Sequence, residues 1–77
     1  MRKEVTESEL LEMLNNELQK NNELKDCRIS SVQWHEKDET GSNWSAMLRT
    51  SGVPAEIFKP QVDQIIFQIS AVYNLKE

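Results

Sequence analysis

The sequence has few of the residues that usually carry catalytic or metal chemistry. It contains one cysteine, Cys27, and one histidine, His35. A single cysteine excludes a disulfide within the chain. Glycine and proline occur twice each, and no apolar run approaches the roughly 18 residues that span a membrane. These absences exclude a disulfide-rich scaffold, a collagen-like repeat and a transmembrane helix, and leave a small soluble domain.

What the chain does contain is acidic and polar. Its 77 residues predict a single domain with net charge −4. Residues 1–26 hold seven acidic and four basic residues, so most of the excess lies there. Acidic residues follow Met1-Arg2-Lys3 where a secretory signal would be apolar, which favours a cytoplasmic location without membrane binding. Because phosphate contacts dominate affinity for nucleic acids, the net charge argues against such a partner.

The strongest local signal is a β-hairpin. Residues 37–43 combine Asp, Thr, Gly, Ser and Asn between two stretches of strand-forming residues, which predicts a solvated turn. Strands over residues 27–35 and 43–51 then place Trp34 opposite Trp44. The same register places Val32 opposite Ala46 and Ser30 opposite Leu48. The two tryptophans can belong to the core or can stack on a ligand.

The second face of this hairpin is mostly polar, but it includes Ile29 and Met47. Either a bulge near Ser30-Ser31 turns Ile29 inward, or this face is itself partly covered.

A complete helix-start signal precedes the hairpin. Thr6 and Glu9 have the spacing of a capping box, and Val5 and Leu10 that of a hydrophobic staple. An apolar stripe follows at Leu10, Leu14 and Leu18, and Asn residues at 21–22 can end the helix in a left-handed conformation. We predict a helix over residues 7–21 and frayed residues at 1–4.

A second helix is predicted after the hairpin. Pro54 and Pro60 favour a short turn over residues 54–58 and a helix over residues 60–74. One face of that helix is apolar; it comprises Val62, Ile65, Ile66, Ile69, Val72 and Tyr73. The predicted fold class is α+β, ordered α-β-β-α, with two helices packed on one face of a two-stranded antiparallel hairpin.

No catalytic, cofactor or metal site is predicted. On one strand, Cys27 and His35 would lie about 26 Å apart, too far for a catalytic pair or a shared metal. The oxygen-rich turn lacks the ligand spacing of a calcium loop. Cations at Lys25, Arg28, Arg49 and Lys59 can form a small anion site near the open end of the hairpin, although scattered surface charges explain them more simply.

We therefore expect a non-enzymatic interaction or accessory module whose protein partner the sequence does not name. The candidate interaction residues are Phe67, Ala71, Met13, Ile29 and Met47. A homodimer formed edge to edge through strand 27–35 is expected, because a two-stranded sheet leaves open edges. The alternatives are a nucleic-acid-associated accessory protein, and a ligand-binding or enzyme subunit whose site forms only at an interface.

Overall fold

The computed structural model describes residues 2–52 and 54–76. Its elements are β1 (Lys3–Val5), α1 (Glu7–Lys20), β2 (Cys27–Trp34), β3 (Trp44–Thr50), α2 (Lys59–Ser70) and β4 (Tyr73–Leu75), with short 3₁₀ turns at Asn22–Leu24 and Ala55–Ile57. β2 and β3 form an antiparallel pair, and β1 and β4 form a separate parallel pair. The α+β class is confirmed, but a short strand extends the predicted order at each end.

The hairpin register contains a bulge. Trp34 pairs with Trp44 and Val32 with Ala46, as the sequence indicates. The register then shifts between Ile29 and Ser31, so Leu48 pairs with Ile29 and not with Ser30. An extra residue in one strand changes which face the following side chains occupy. As a result Ile29 points into the core, where only 2% of its surface is exposed.

Helix α1 begins at the predicted cap. Thr6 Oγ1 accepts a hydrogen bond from Glu9 N, and Glu9 Oε1 accepts one from Thr6 N at 3.2 Å. The bond from Thr6 N to the Glu9 carboxylate is the largest cause of the lowered pKa of Glu9, and the Thr6 hydroxyl, which also donates to Glu9 Oε1, adds to it. At the other end Asn21 is extended rather than left-handed, and its side chain accepts from Glu23 N. The predicted left-handed cap at Asn21 was therefore wrong.

The prediction that α2 continues to residue 74 was also wrong, since α2 ends at Ser70. Residues 73–75 instead form β4, which pairs with β1 over the segment predicted to be frayed. Side chains of the hairpin hold β4 in place: Trp44 Nε1 donates to Tyr73 O at 3.0 Å, and the amide of Asn43 bonds Leu75. These distant contacts override the helical periodicity of the local sequence.

The core lies where α1 meets the hairpin and α2. Its buried apolar members are Leu10, Leu14, Leu18, Leu24, Cys27, Ile29, Val32, Trp44, Val62 and Leu75. On the predicted apolar face of α2 only Val62 is fully buried; Ile65, Ile66 and Ile69 are partly buried, and Val72 is 49% exposed. α2 thus contributes a narrower buried stripe than its periodicity indicates.

Candidate interaction surface

One edge of β3 pairs with β2, and the middle of the other edge carries backbone groups that β2 does not pair. His35 N donates to Asn43 O and Ser51 N donates to Asp26 O, so residues 43 and 51 face β2. Backbone groups alternate in direction along an antiparallel strand. Those of Ala46 and Leu48 therefore point away from β2. No other strand within residues 2–52 and 54–76 pairs with this edge.

An apolar groove of about 330 Å³ lies beside this edge, between β3 and α2. Its lining comprises Ala46, Leu48, Ala55, Glu56, Lys59, Val62, Asp63 and Ile66. Ala46, Leu48 and Ile66 are partly buried, whereas the three charged residues are exposed. An apolar floor with charged neighbours, next to unpaired strand backbone, is the arrangement used to add a strand to a sheet edge.

The opposite edge of the hairpin is partly occupied. Asn15 of α1 bonds the outward-facing backbone of Ile29: its Oδ1 accepts from Ile29 N at 2.9 Å and its Nδ2 donates to Ile29 O at 3.2 Å. The side-chain amide takes the place that a neighbouring strand would fill. This contact obstructs the edge of strand 27–35, through which the sequence predicts dimerisation.

The five predicted interaction residues occupy different environments. Phe67 and Met47 are 67% and 48% exposed, and Ala71 is exposed as well. Met13 is partly buried against the core and lines a cleft between α1 and α2. Ile29 belongs to the core and cannot contribute to an exposed surface. The prediction missed the groove residues of β3, because their alternation indicates only that they face inward.

The two tryptophans are not equivalent. Trp44 is 3% exposed and its indole N–H is bonded to β4, so it is a core residue. Trp34 is 49% exposed although it pairs directly with Trp44. It follows that only Trp34 is accessible to a partner.

Cys27 begins β2 and His35 follows its last residue, so the two residues lie at opposite ends of this strand. Burial raises the pKa of the Cys27 thiol, and the nearby charge of Asp26 raises it further, so the reactive thiolate is disfavoured at neutral pH. His35 Nδ1 lies 2.6 Å from Glu36 O. Across the described ranges, no group of three or more His, Cys, Asp or Glu side chains could hold a metal ion.

Over the same ranges, none of the helices has the length and apolar character needed to cross a membrane. Comparison with protein-family models, with curated proteins and with solved structures found no match to this chain.

Proposed function

We propose that this chain is a small, non-catalytic interaction module that assembles through the open edge of β3. The observation that carries the proposal is the outward-facing backbone of Ala46 and Leu48 beside an apolar groove. An added strand would bond that backbone and place alternate side chains over the groove. The partner we propose is β3 of a second copy.

The register of β3 supports pairing with itself. A two-fold axis at Met47 sets Ala46 opposite Leu48 of the second copy, so the outward-facing groups of both residues exchange hydrogen bonds. Apolar side chains then meet on the groove side of the sheet. On the other side Met47, 48% exposed, meets its own equivalent, and Arg49 lies opposite Ser45. No like charges face each other across this junction, and β3 contains no proline.

The dimer contact we propose lies at β3 and not at the predicted edge of residues 27–35. At that edge the side chain of Asn15 is hydrogen-bonded to the backbone of Ile29. Two hairpins joined through β3 form a four-stranded antiparallel sheet. Such a sheet is more stable than an isolated hairpin.

Proline at residue 46 tests the proposal. Ala46→Pro removes an outward-facing N–H and leaves the bonds between β2 and β3 in place. Ala46→Val is the matched control, since it keeps the N–H and its added methyl groups can enter the groove. Sedimentation equilibrium over a range of concentrations should give a dimer for the parent and the valine variant and a monomer for the proline variant. Amide exchange should slow at Ala46 and Leu48 as the dimer forms.

Two results would overturn the proposal. One is a parent chain that stays monomeric throughout and whose β3 amides do not respond to a synthetic peptide of residues 43–51. The other is a proline variant that folds, as judged by circular dichroism, and still dimerises like the parent. Binding of the peptide by a monomeric parent would replace the second copy with a heterologous strand.

A further inference from the structure

The base of the hairpin, where β2 begins and β3 ends, concentrates positive charge. Arg28 and Arg49 are direct cross-strand neighbours, and both side chains are exposed. Like charges in this position repel each other. Neither guanidinium has an ion pair or hydrogen bond with any other described residue. The one salt bridge among the described residues joins Lys20 to Glu17. Within the described residues, two arginines are thus neighbours and neither forms a salt bridge.

These arginines line a cleft of about 610 Å³ between the base of the hairpin and α1. Lys25 is a third cation in its wall, and Asp26 is its only carboxylate. Gln19 and Ser51 add neutral polar side chains; Asn15, Cys27 and Thr50 complete the lining. The cleft therefore carries a net charge of +2 in a chain of net charge −4. Lys59, predicted to join this cluster, lines the groove beside β3 instead.

We infer that this cleft binds a compact oxyanion, a phosphate monoester. A guanidinium presents paired N–H donors that match phosphate oxygens, and two facing guanidinium groups with a lysine can neutralise a dianion. A bound dianion would also remove the repulsion between Arg28 and Arg49. The site forms within one chain and does not depend on pairing at β3.

The surroundings favour a small anion over a nucleic acid. α1 forms one wall of the cleft and carries four glutamates against one lysine. A duplex would bring further phosphates next to those carboxylates, which repel them. A single phosphate group can enter the cleft without extending along α1.

Titration with inorganic phosphate and with N-acetyl-O-phosphoserine amide, followed by NMR, tests the inference. Saturable shifts are expected at the side-chain signals of Arg28 and Arg49 with both probes. Arg28→Gln or Arg49→Gln should weaken binding roughly tenfold or more, because each removes charged hydrogen bonds. Arg28→Lys should fall between the parent and Arg28→Gln, since it retains charge without the paired donors.

Lys37→Gln is the control, because it removes an exposed cation from the turn end of the hairpin and should leave the affinity unchanged. If Lys37→Gln weakens phosphate binding as much as Arg28→Gln does, overall charge explains the effect and the proposed site is overturned. The absence of saturation with both phosphate probes would overturn it as well. If a DNA duplex binds more tightly than both phosphate probes, and Arg49→Gln abolishes that binding, the ligand is a nucleic acid and not a compact anion. Stronger binding of the phosphoserine probe than of inorganic phosphate would identify a phosphorylated side chain as the source.

Discussion

The two ends of the hairpin differ in the burial and hydrogen bonding of their polar side chains. At the turn end Asn43 is 4% exposed, and its amide bonds both backbone groups of Leu75, at 2.9 and 2.8 Å. At the base Arg28 and Arg49 are exposed and face each other without a partner among the described residues. Buried polar groups need hydrogen bonds within the chain, whereas exposed charges are solvated by water and stay accessible to a ligand. The turn end therefore serves stability, and the base is available for binding.

The largest loss of stability is expected when the side-chain amide of Asn43, at the turn end, is removed. Asn43→Ala leaves the backbone N–H and C=O of Leu75 unpaired in a buried region, which costs about 2–5 kcal/mol in the free energy of unfolding. Denaturant titration measures this loss. Asn16→Ala, an exposed asparagine on α1, should change stability little. A parent-like midpoint for Asn43→Ala would show that its bonds to β4 do not stabilise the fold.

The two glycines allow the ends to be compared directly. Gly41 at the turn and Gly52 after β3 both have positive φ, +88° and +77°. Alanine at either position should cost about 1–2 kcal/mol for the left-handed backbone. A Cβ at Gly41 would also overlap the guanidinium of Arg2, which donates to Ser70 O at 2.7 Å, whereas open space surrounds Gly52.

Thermal and chemical unfolding should therefore show a larger loss of stability for Gly41→Ala than for Gly52→Ala, by about 1 kcal/mol for the displaced Arg2 hydrogen bond. In an Arg2→Ala background the two substitutions should cost the same. A difference that persists in that background would mean that Arg2 is not its cause.

A smaller effect is expected from the turn at acid pH. The hydroxyl of Thr40 donates to Asp38 Oδ1 at 2.6 Å and is the main cause of the lowered pKa of Asp38; backbone bonds from Thr40 and Ser42 add to it. A lowered folded-state pKa stabilises the fold above the ordinary carboxyl pKa, and this contribution is lost as pH falls through the folded value.

Thr40→Val should raise the pKa of Asp38 toward that of a free aspartate, as measured by NMR titration of its side-chain carboxyl. The variant should also lose less stability than the parent on acidification. An unchanged Asp38 titration in Thr40→Val would exclude the hydroxyl as the cause.

The smallest effect on stability is expected at the base. Arg28→Gln and Arg49→Gln should each change the free energy of unfolding by less than about 0.5 kcal/mol, in the stabilising direction, because either one ends the repulsion. The double variant should gain less than the sum of the two, and added salt should reduce all the differences. Clear destabilisation by either single variant would mean that the arginine already has a structural role.

The sequence predicted those parts of the fold that depend on neighbouring residues. The capping box of Thr6 and Glu9 lies within one turn, and the hairpin depends on a turn signal between matched strands. β4 was missed because its partners, β1 and the side chain of Asn43, lie far away in the sequence. The same reason explains why Asn43 was predicted in a solvated turn although it is buried.

The candidate sites were predictable only in part. The sequence predicted that cations, including Arg28 and Arg49, gather at the open end of the hairpin. Their direct pairing was not predicted, because the bulge between Ile29 and Ser31 shifts the register that would place Arg28 opposite Thr50. Which hairpin edge stays open could not, since it depends on a contact between Asn15 of α1 and the bulged backbone at Ile29.

The pairing of β1 with β4 also constrains the order of folding. Lys3 and Tyr73 are partners across about 70 residues, and closing such a loop costs roughly 4 kcal/mol of chain entropy, against about 2 kcal/mol for the Trp34–Trp44 contact. The hairpin and α1 can therefore form early, whereas the parallel pair closes only after the intervening chain is compact. Until then Leu75 and its partner Asn43 remain exposed to water. The parallel pair thus forms late and fixes the turn end of a hairpin that is already folded.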